Sequence, residues 1–134
     1  KRHTINKPTI SLLGLAFKGN PETDDVRGSP VIAVIDSIQN YFGTEEIKFK
    51  LYDPIVTNFY GMSAESDIDD SIRDANVVVI MNDHKSLRGI NVSRITQLTK
   101  RPLLIIDAWH SINDLDSITT EESLEVYRVG DGQK

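Results

Sequence analysis

Two uninterrupted apolar runs constrain the fold of this 134-residue chain more than any other feature. Residues 77–81 read VVVIM and residues 103–106 read LLII. Both runs are shorter than a typical helix, and a strand that is apolar at every position must be covered on both faces. Such strands are typical of the centre of a parallel sheet. The two runs therefore predict an α/β domain.

Three further segments have the pattern of strands. Residues 9–14 form a short β-prone run that ends in glycine, and residues 47–51 alternate strictly before the Tyr-Asp-Pro sequence at 52–54. Residues 125–129 predict a weaker last strand. The interval 55–67 has room for one more short strand.

Helical segments separate these strands. Ser29 and Pro30 suit a helix start, and Gly43 suits its end. Apolar residues between them recur with the spacing of one helical face: Val31, Val34, Ile35, Ile38 and Phe42. Shorter helices are predicted for residues 69–76 and 92–99, the second with Ser93 as its cap.

The alternation of strands and helices predicts a three-layer, Rossmann-like α/β fold with a mostly parallel sheet of five to six strands. The length of 134 residues suits a single domain, residues 1–134. In such sheets ligands bind at the carboxyl ends of the strands. The segments after Gly14, Leu51, Met81 and Ile106 are therefore the candidate binding regions.

Composition excludes several classes of function. The net charge of −5 argues against a nucleic-acid partner, and no apolar stretch is long enough to span a membrane. No secretory signal opens the chain, so we expect a cytoplasmic location. Because the chain has no cysteine, disulfides, thiolate metal sites and cysteine nucleophiles are excluded within it. Glu65, Asp67, Asp69 and Asp70 lack the spacing of a calcium loop, and no metal site is predicted.

The segment after the first strand has the parts of an anion site. It contains neither the dinucleotide fingerprint nor the P-loop pattern. It does run from a strand end to a helix N-terminus, and it brings Lys18 and Arg27 with it. The alternative is that Asp24, Asp25 and Arg27 pair with one another on a solvated loop. Asp53 presents a similar choice between a ribose-binding acid and an ordinary turn residue.

Several motifs together resemble one known family. In order, they are G-L-A-F-K, T-D-D-V-R-G-S-P, Y-D-P, V-V-V-I and I-I-D. Over roughly residues 8–130 the chain is similar to the C-terminal, UDP-binding domain of the UDP-glucose/GDP-mannose dehydrogenase family. Members oxidise C6 of a nucleotide sugar from alcohol to carboxylate with two NAD molecules and a cysteine thiohemiacetal. A complete member adds an N-terminal NAD-binding domain and a helical middle that carries the cysteine.

The resemblance implies roles for particular residues. Phe17 and Lys18 match the pair that contacts the nucleotide sugar, and Gly19 and Asn20 belong to the same loop. Arg27 matches the arginine that reaches the NAD bound on the N-terminal domain. No catalytic residue is implied within this chain, which should be inactive alone and part of a longer, homo-oligomeric enzyme.

Two departures from the family pattern bear on specificity. Phe17 and Arg27 lie ten residues apart, two more than is usual, so the loop around residues 19–22 is longer. Trp109 stands where members usually have an arginine or a similar residue, and its ring could stack on a base or lie half buried under the last strand. We expect a UDP-sugar substrate, with an N-acetylhexosamine as one option.

Two other functions remain open at the level of sequence. The first is a stand-alone module that binds a nucleotide or mediates assembly without catalysis. The second is a phospho-acceptor signalling domain, for which Asp53 and Asp83 are poorly placed.

Overall fold

A five-stranded parallel sheet forms the centre of the molecule. The computed structural model of the chain describes residues 7–16, 25–42, 47–82, 84–87, 90–107, 112–113 and 124–128. The strands are β1 (Thr9–Leu13), β2 (Lys48–Tyr52), β3 (Asn58–Phe59), β4 (Met62–Ser63), β5 (Val77–Ile80), β6 (Ile90–Asn91), β7 (Leu103–Asp107), β8 (Ile112–Asn113) and β9 (Leu124–Arg128). The helices are α1 (Val31–Phe42), α2 (Ile68–Ile72) and α3 (Val92–Leu98), with a 3-10 turn at Lys85–Leu87.

The order of the main sheet is β2-β1-β5-β7-β9, and each neighbouring pair is parallel. Ile10 of β1 lies opposite Phe49 of β2 and Val77 of β5. The predicted parallel α/β sheet is thus confirmed. The chain passes from β1 to the edge strand β2 and then returns to the other side of β1, so the direction of winding reverses between β1 and β5.

Alternating side chains of the central strands divide between two apolar clusters. One cluster lies on the side of α2 and α3 and includes Leu13, Val78, Ile80, Leu103 and Ile105. The other lies on the side of α1 and includes Ile10, Leu12, Val79, Val31 and Ile35. The sheet is therefore the middle of three layers, as the sequence predicts.

The helix boundaries follow local hydrogen bonding. Ser29 Oγ accepts the N–H of Val31 at 3.2 Å, in agreement with the predicted start of α1, while Gly43 lies outside the described residues. Helix α2 begins after its cap Asp67 and is shorter than predicted, because Arg73 is extended and Asp74 has a left-handed φ of 64°.

The predicted cap of α3 was wrong. Asn91 Oδ1, and not the Ser93 side chain, accepts the first N–H groups of this helix, from Ser93 at 2.8 Å and Arg94 at 3.4 Å. Ser93 already lies within the first turn, where its hydroxyl cannot take the N-cap role.

The expected short strand within residues 55–67 is present as the hairpin of β3 and β4. Within the described ranges, no helix is long and apolar enough to cross a bilayer.

Two fully buried serines allow a test of how polar groups contribute to this core. Ser11 Oγ on β1 has no hydrogen-bond partner among the described residues, whereas Ser71 Oγ donates to Ile68 O at 2.6 Å. We predict that Ser11→Ala raises the free energy of unfolding by about 1 kcal/mol, because it removes an unsatisfied hydroxyl. Ser71→Ala should lower it by about 1 kcal/mol, because it breaks a bond. Urea denaturation measures both, and an equal loss in the two variants would contradict the prediction.

Candidate functional site

The direction of winding reverses between β1 and β5. In open α/β sheets a point of this kind, at the carboxyl edge, is where a ligand crevice is expected. Residues 14–16 follow β1, and Met81 and Asn82 follow β5. The edge is the region that the sequence predicts for ligand binding, and polar side chains that follow β2, β5 and β7 are buried there: Asp53, Asn82 and Asp107.

Asp53, which follows β2, accepts four backbone hydrogen bonds at this edge. Its side chain is buried, with 6% exposure, and Oδ2 accepts the N–H groups of Leu15 at 2.7 Å and Ala16 at 3.1 Å. Oδ1 accepts the N–H groups of Ile55 at 2.8 Å and Val56 at 2.9 Å. Both carboxylate oxygens are thus committed to backbone groups, so the structure favours the turn interpretation of Asp53 over the ribose-binding one. The carboxylate joins its own turn to the loop that follows β1.

Asn82, which follows β5, hydrogen-bonds to the same segment after β1. Its Nδ2 donates to Ala16 O at 3.4 Å, and its Oδ1 accepts the N–H of His84 at 3.1 Å. Gly14 has a φ of +99°, and a Cβ there would lie 2.6 Å from Asn82 Oδ1. Glycine is therefore required at the first position of the loop both by the backbone conformation and by the close approach of Asn82.

Asp53 and Asn82 both hydrogen-bond to the backbone of one residue, Ala16. The N–H of Ala16 is held by Asp53, and its carbonyl oxygen is held by Asn82. Ala16 directly precedes Phe17 and Lys18, so the chain enters the predicted binding loop from a fixed position and direction. Phe17, Lys18, Gly19 and Asn20 themselves lie outside the described residues.

Arg27 lies where the loop returns to α1. Its side chain is 86% exposed, and Nε and Nη2 donate to the two carboxylate oxygens of Asp25 at 2.9 and 2.8 Å. These bonds lower the pKa of Asp25 to about 2 and raise the pKa of Arg27 above its usual value. The pairing expected as the alternative thus exists for Asp25, while Asp24 lies outside the described residues. The pair is also next to the helix N-terminus, where an anion would be attracted.

Asp107 anchors the chain at the end of β7. The residue is fully buried, and Oδ2 accepts the N–H of Ile112 at 3.0 Å. Trp109, two positions further along, lies outside the described residues. Asp107 therefore fixes the two ends of the segment that carries this tryptophan.

The sequence did not identify Asn82 as part of the site. A usable signal was present, because Asn82 is the first polar residue after the apolar run at 77–81 and so falls at a carboxyl strand end. Within the described part of the chain, no group of three or more His, Cys, Asp or Glu residues could hold a metal ion. At this edge the backbone of Ala16 is fixed by hydrogen bonds, and the chain returns to the N-terminus of α1. A helix N-terminus attracts an anionic ligand.

Comparison with known proteins gives a consistent result. Residues 11–114 match the family described as the UDP-glucose/GDP-mannose dehydrogenase family, UDP binding domain. The chain is 30% identical over 116 residues to a UDP-N-acetyl-D-mannosamine dehydrogenase of Methanococcus vannielii, covering 84% of this chain and 25% of the relative. It is 32% identical over 108 residues to UDP-glucose 6-dehydrogenase TuaD of Bacillus subtilis, covering 76% and 22%. The chain thus spans about a quarter of the length of these relatives.

Solved structures agree in fold. The structure of a UDP-D-ManNAc dehydrogenase from Pyrococcus horikoshii superposes with a TM-score of 0.70 at 25% identity, covering 96% of this chain and 27% of the other. An NDP-N-acetyl-D-galactosaminuronic acid dehydrogenase from Methanosarcina mazei gives a TM-score of 0.75 at 19% identity, covering 93% and 25%. At this lower identity the likeness concerns the fold alone.

Replacing Asp53 tests whether its carboxylate stabilises the backbone at this edge. We predict that Asp53→Asn lowers the free energy of unfolding by about 3 kcal/mol, because an amide group then faces two buried N–H donors that need an acceptor. Asp36→Asn, on the exposed surface of α1, should change it by less than about 0.5 kcal/mol. Urea denaturation of the two variants measures the difference. A loss for Asp53→Asn no larger than for Asp36→Asn would contradict the role of this carboxylate.

The pKa of Asp25 tests the pairing with Arg27. In the parent chain this pKa is lowered to about 2, chiefly by the side-chain hydrogen bond from Arg27. We predict that Arg27→Ala returns it toward the ordinary value of 3.8. Because a lowered carboxyl pKa stabilises the folded state above pH 3.8, this contribution fades as pH falls from 3.8 through about 2. NMR titration of the Asp25 carboxyl carbon measures the shift, and an unchanged value in Arg27→Ala would refute the pairing.

Proposed function

Because the chain belongs to the UDP-glucose/GDP-mannose dehydrogenase family as its UDP-binding domain, we propose that it binds the UDP group of a nucleotide sugar at the carboxyl edge of its sheet. The observation that carries this proposal is the backbone of Ala16, whose N–H and carbonyl groups are held by Asp53 and Asn82 directly before Phe17 and Lys18 in the sequence. The relatives include enzymes named for UDP-N-acetyl-D-mannosamine and for UDP-glucose. These two substrates share the UDP group, and the proposal concerns this shared part.

Lys18 and Phe17 are the proposed principal contacts. They are the second and first residues after Ala16, whose N–H and carbonyl groups are both fixed. A lysine provides a compact cation for a diphosphate, and an aromatic ring provides an apolar surface for a sugar or a base. Gly19 and Asn20 extend the same contact region, and Trp109 is proposed to contribute from the segment after β7.

Arg27 is proposed to serve the NAD cofactor of the full enzyme. Its guanidinium is exposed at the N-terminal end of α1 and can form paired hydrogen bonds with an oxyanion, as it does with the Asp25 carboxylate. These features fit a cofactor phosphate, which would compete with Asp25 for the same N–H groups. NAD, when bound, accepts hydride from the substrate.

The full enzyme is proposed to oxidise the C6 alcohol of a UDP-sugar to a carboxylate. The oxidation removes two hydrides and takes up one water, so it consumes two NAD molecules. The present chain contains no cysteine, so a covalent thiohemiacetal would have to form elsewhere in the polypeptide. The part of this chain is to hold and orient the nucleotide end of the substrate, which lowers the entropic cost of reaction at the sugar end.

Calorimetric titration of the 134-residue chain with UDP tests the proposal. We expect UDP to bind, and we expect Lys18→Ala to weaken its affinity by about tenfold or more, because a charge-assisted contact to phosphate is lost. Lys48→Ala is the matched control, because Lys48 is exposed at the opposite, amino edge of the sheet. The affinity of Lys48→Ala for UDP should equal that of the parent chain. Absence of UDP binding at millimolar concentration, or equal losses in both variants, would refute the proposed site.

A further inference from the structure

The tip of the β3–β4 hairpin carries an aromatic residue in an unfavourable backbone conformation. Phe59 pairs with Met62, so Tyr60 and Gly61 form a two-residue turn. Both turn residues have a left-handed φ, 51° for Tyr60 and 86° for Gly61. Hairpin turns of this kind favour asparagine followed by glycine, because a bulky side chain is disfavoured at positive φ. Tyrosine at position 60 is therefore a poor choice for the turn itself.

Burial does not compensate for this conformation. Tyr60 is 59% exposed, whereas Phe59 is fully buried in the cluster on the α1 side. The two rings meet edge to face, with centroids 5.0 Å apart and an interplanar angle of 85°. This contact orients the Tyr60 ring while most of the residue stays exposed to water. A residue that strains the backbone and is not buried in return points to a role outside the fold.

The hairpin belongs to the same side of the sheet as the proposed binding loop. The carboxylate of Asp53 accepts N–H groups from residues 15–16 and from residues 55–56, so it joins the segment after β1 to the segment that enters the hairpin. Val26, near the end of the binding loop, packs on the same apolar cluster as Phe59. The hairpin and the return of the loop to α1 thus rest on one face of the sheet.

The phenolic group of Tyr60 lies near the guanidinium of Arg27. The pKa of Arg27 is raised chiefly by its hydrogen bond with Asp25, and the phenolic group of Tyr60 raises it further. Interactions between exposed groups are largely screened beyond about 10 Å, so this effect requires the two groups to be close. Both residues are exposed, with 86% of the Arg27 side chain and 59% of Tyr60 accessible to water. A ligand can therefore reach them together.

We propose that Tyr60 provides a stacking surface for a heterocyclic ring of the nucleotide whose phosphate binds Arg27. This inference rests on the proposed function, in which that nucleotide is NAD. A nucleotide carries both a phosphate and a planar ring, and a guanidinium beside an exposed tyrosine offers a partner to each. Stacking on an aromatic side chain depends little on the identity of the ring, so adenine and nicotinamide share the chemistry required.

Two substitutions separate the ring from the turn. Tyr60→Asn removes the ring and places asparagine before Gly61, the pair that such a turn favours, so the hairpin should be at least as stable. Tyr60→Phe keeps the ring and removes only the hydroxyl. Both variants are prepared in the full-length enzyme. Calorimetry measures the affinity for NAD and for ADP-ribose, which lacks the nicotinamide, and urea denaturation measures the unfolding midpoint.

We expect Tyr60→Asn to weaken NAD affinity by about tenfold without lowering the unfolding midpoint, and Tyr60→Phe to stay within about twofold of the parent. A parallel loss for ADP-ribose assigns the ring to adenine, and a loss for NAD alone assigns it to nicotinamide. Equal losses of NAD affinity in the two variants would overturn the proposal, because the hydroxyl would then make the contact. Unchanged NAD affinity in Tyr60→Asn would also overturn it, and a lower midpoint in that case would assign the ring to a contact with protein.

Two further measurements distinguish this inference from the proposed function. Unchanged NAD affinity in Arg27→Ala would refute the cofactor role of Arg27 and the inference with it. A loss in Arg27→Ala without a loss in Tyr60→Asn would refute the stacking surface alone. UDP affinity of Tyr60→Asn in the 134-residue chain should equal that of the parent. A weaker affinity for UDP would overturn the inference, because the ring would then serve the substrate.

Discussion

The parallel pairing of β1 with β5 is the constraint on which the rest of the structure depends. These two strands carry side chains that are buried on both faces of the sheet. Each face must therefore be covered by helices, and right-handed connections decide which helix lies on which face. The same pair marks the reversal of winding, so the demand for burial also produces the crevice at the carboxyl edge.

Buried polar side chains at that edge fix the backbone of the residues that follow β1. Asp53 after β2 and Asn82 after β5 hydrogen-bond to the backbone of Ala16 from the two strands that flank β1 in the sheet. A buried carboxylate is stable here because four backbone N–H groups compensate for its lost hydration. The proposed substrate contacts at Phe17 and Lys18 begin directly after this fixed point. Rigid support followed by a functional loop is a common arrangement in α/β enzymes.

Described residues pack on both faces of the sheet. Helices α2 and α3 and Ile112 pack on one face. Helix α1 packs on the other, together with Val56 and Phe59 from the segment between β2 and α2. The proposed substrate site lies at the carboxyl edge of this sheet.

The sequence by itself determined the parallel sheet and the start of α1, and it predicts the carboxyl edge as the binding region. These depend on local patterns: apolar runs at 77–81 and 103–106, a serine followed by proline, and glycine at a strand end. It did not determine that Asn91 rather than Ser93 caps α3, because both residues suit a cap and only the backbone geometry decides between them. The hydrogen-bonding roles of Asp53 and Asn82 were decided by the tertiary structure alone. Each depends on which distant strands become neighbours, and that information is absent from any local stretch of sequence.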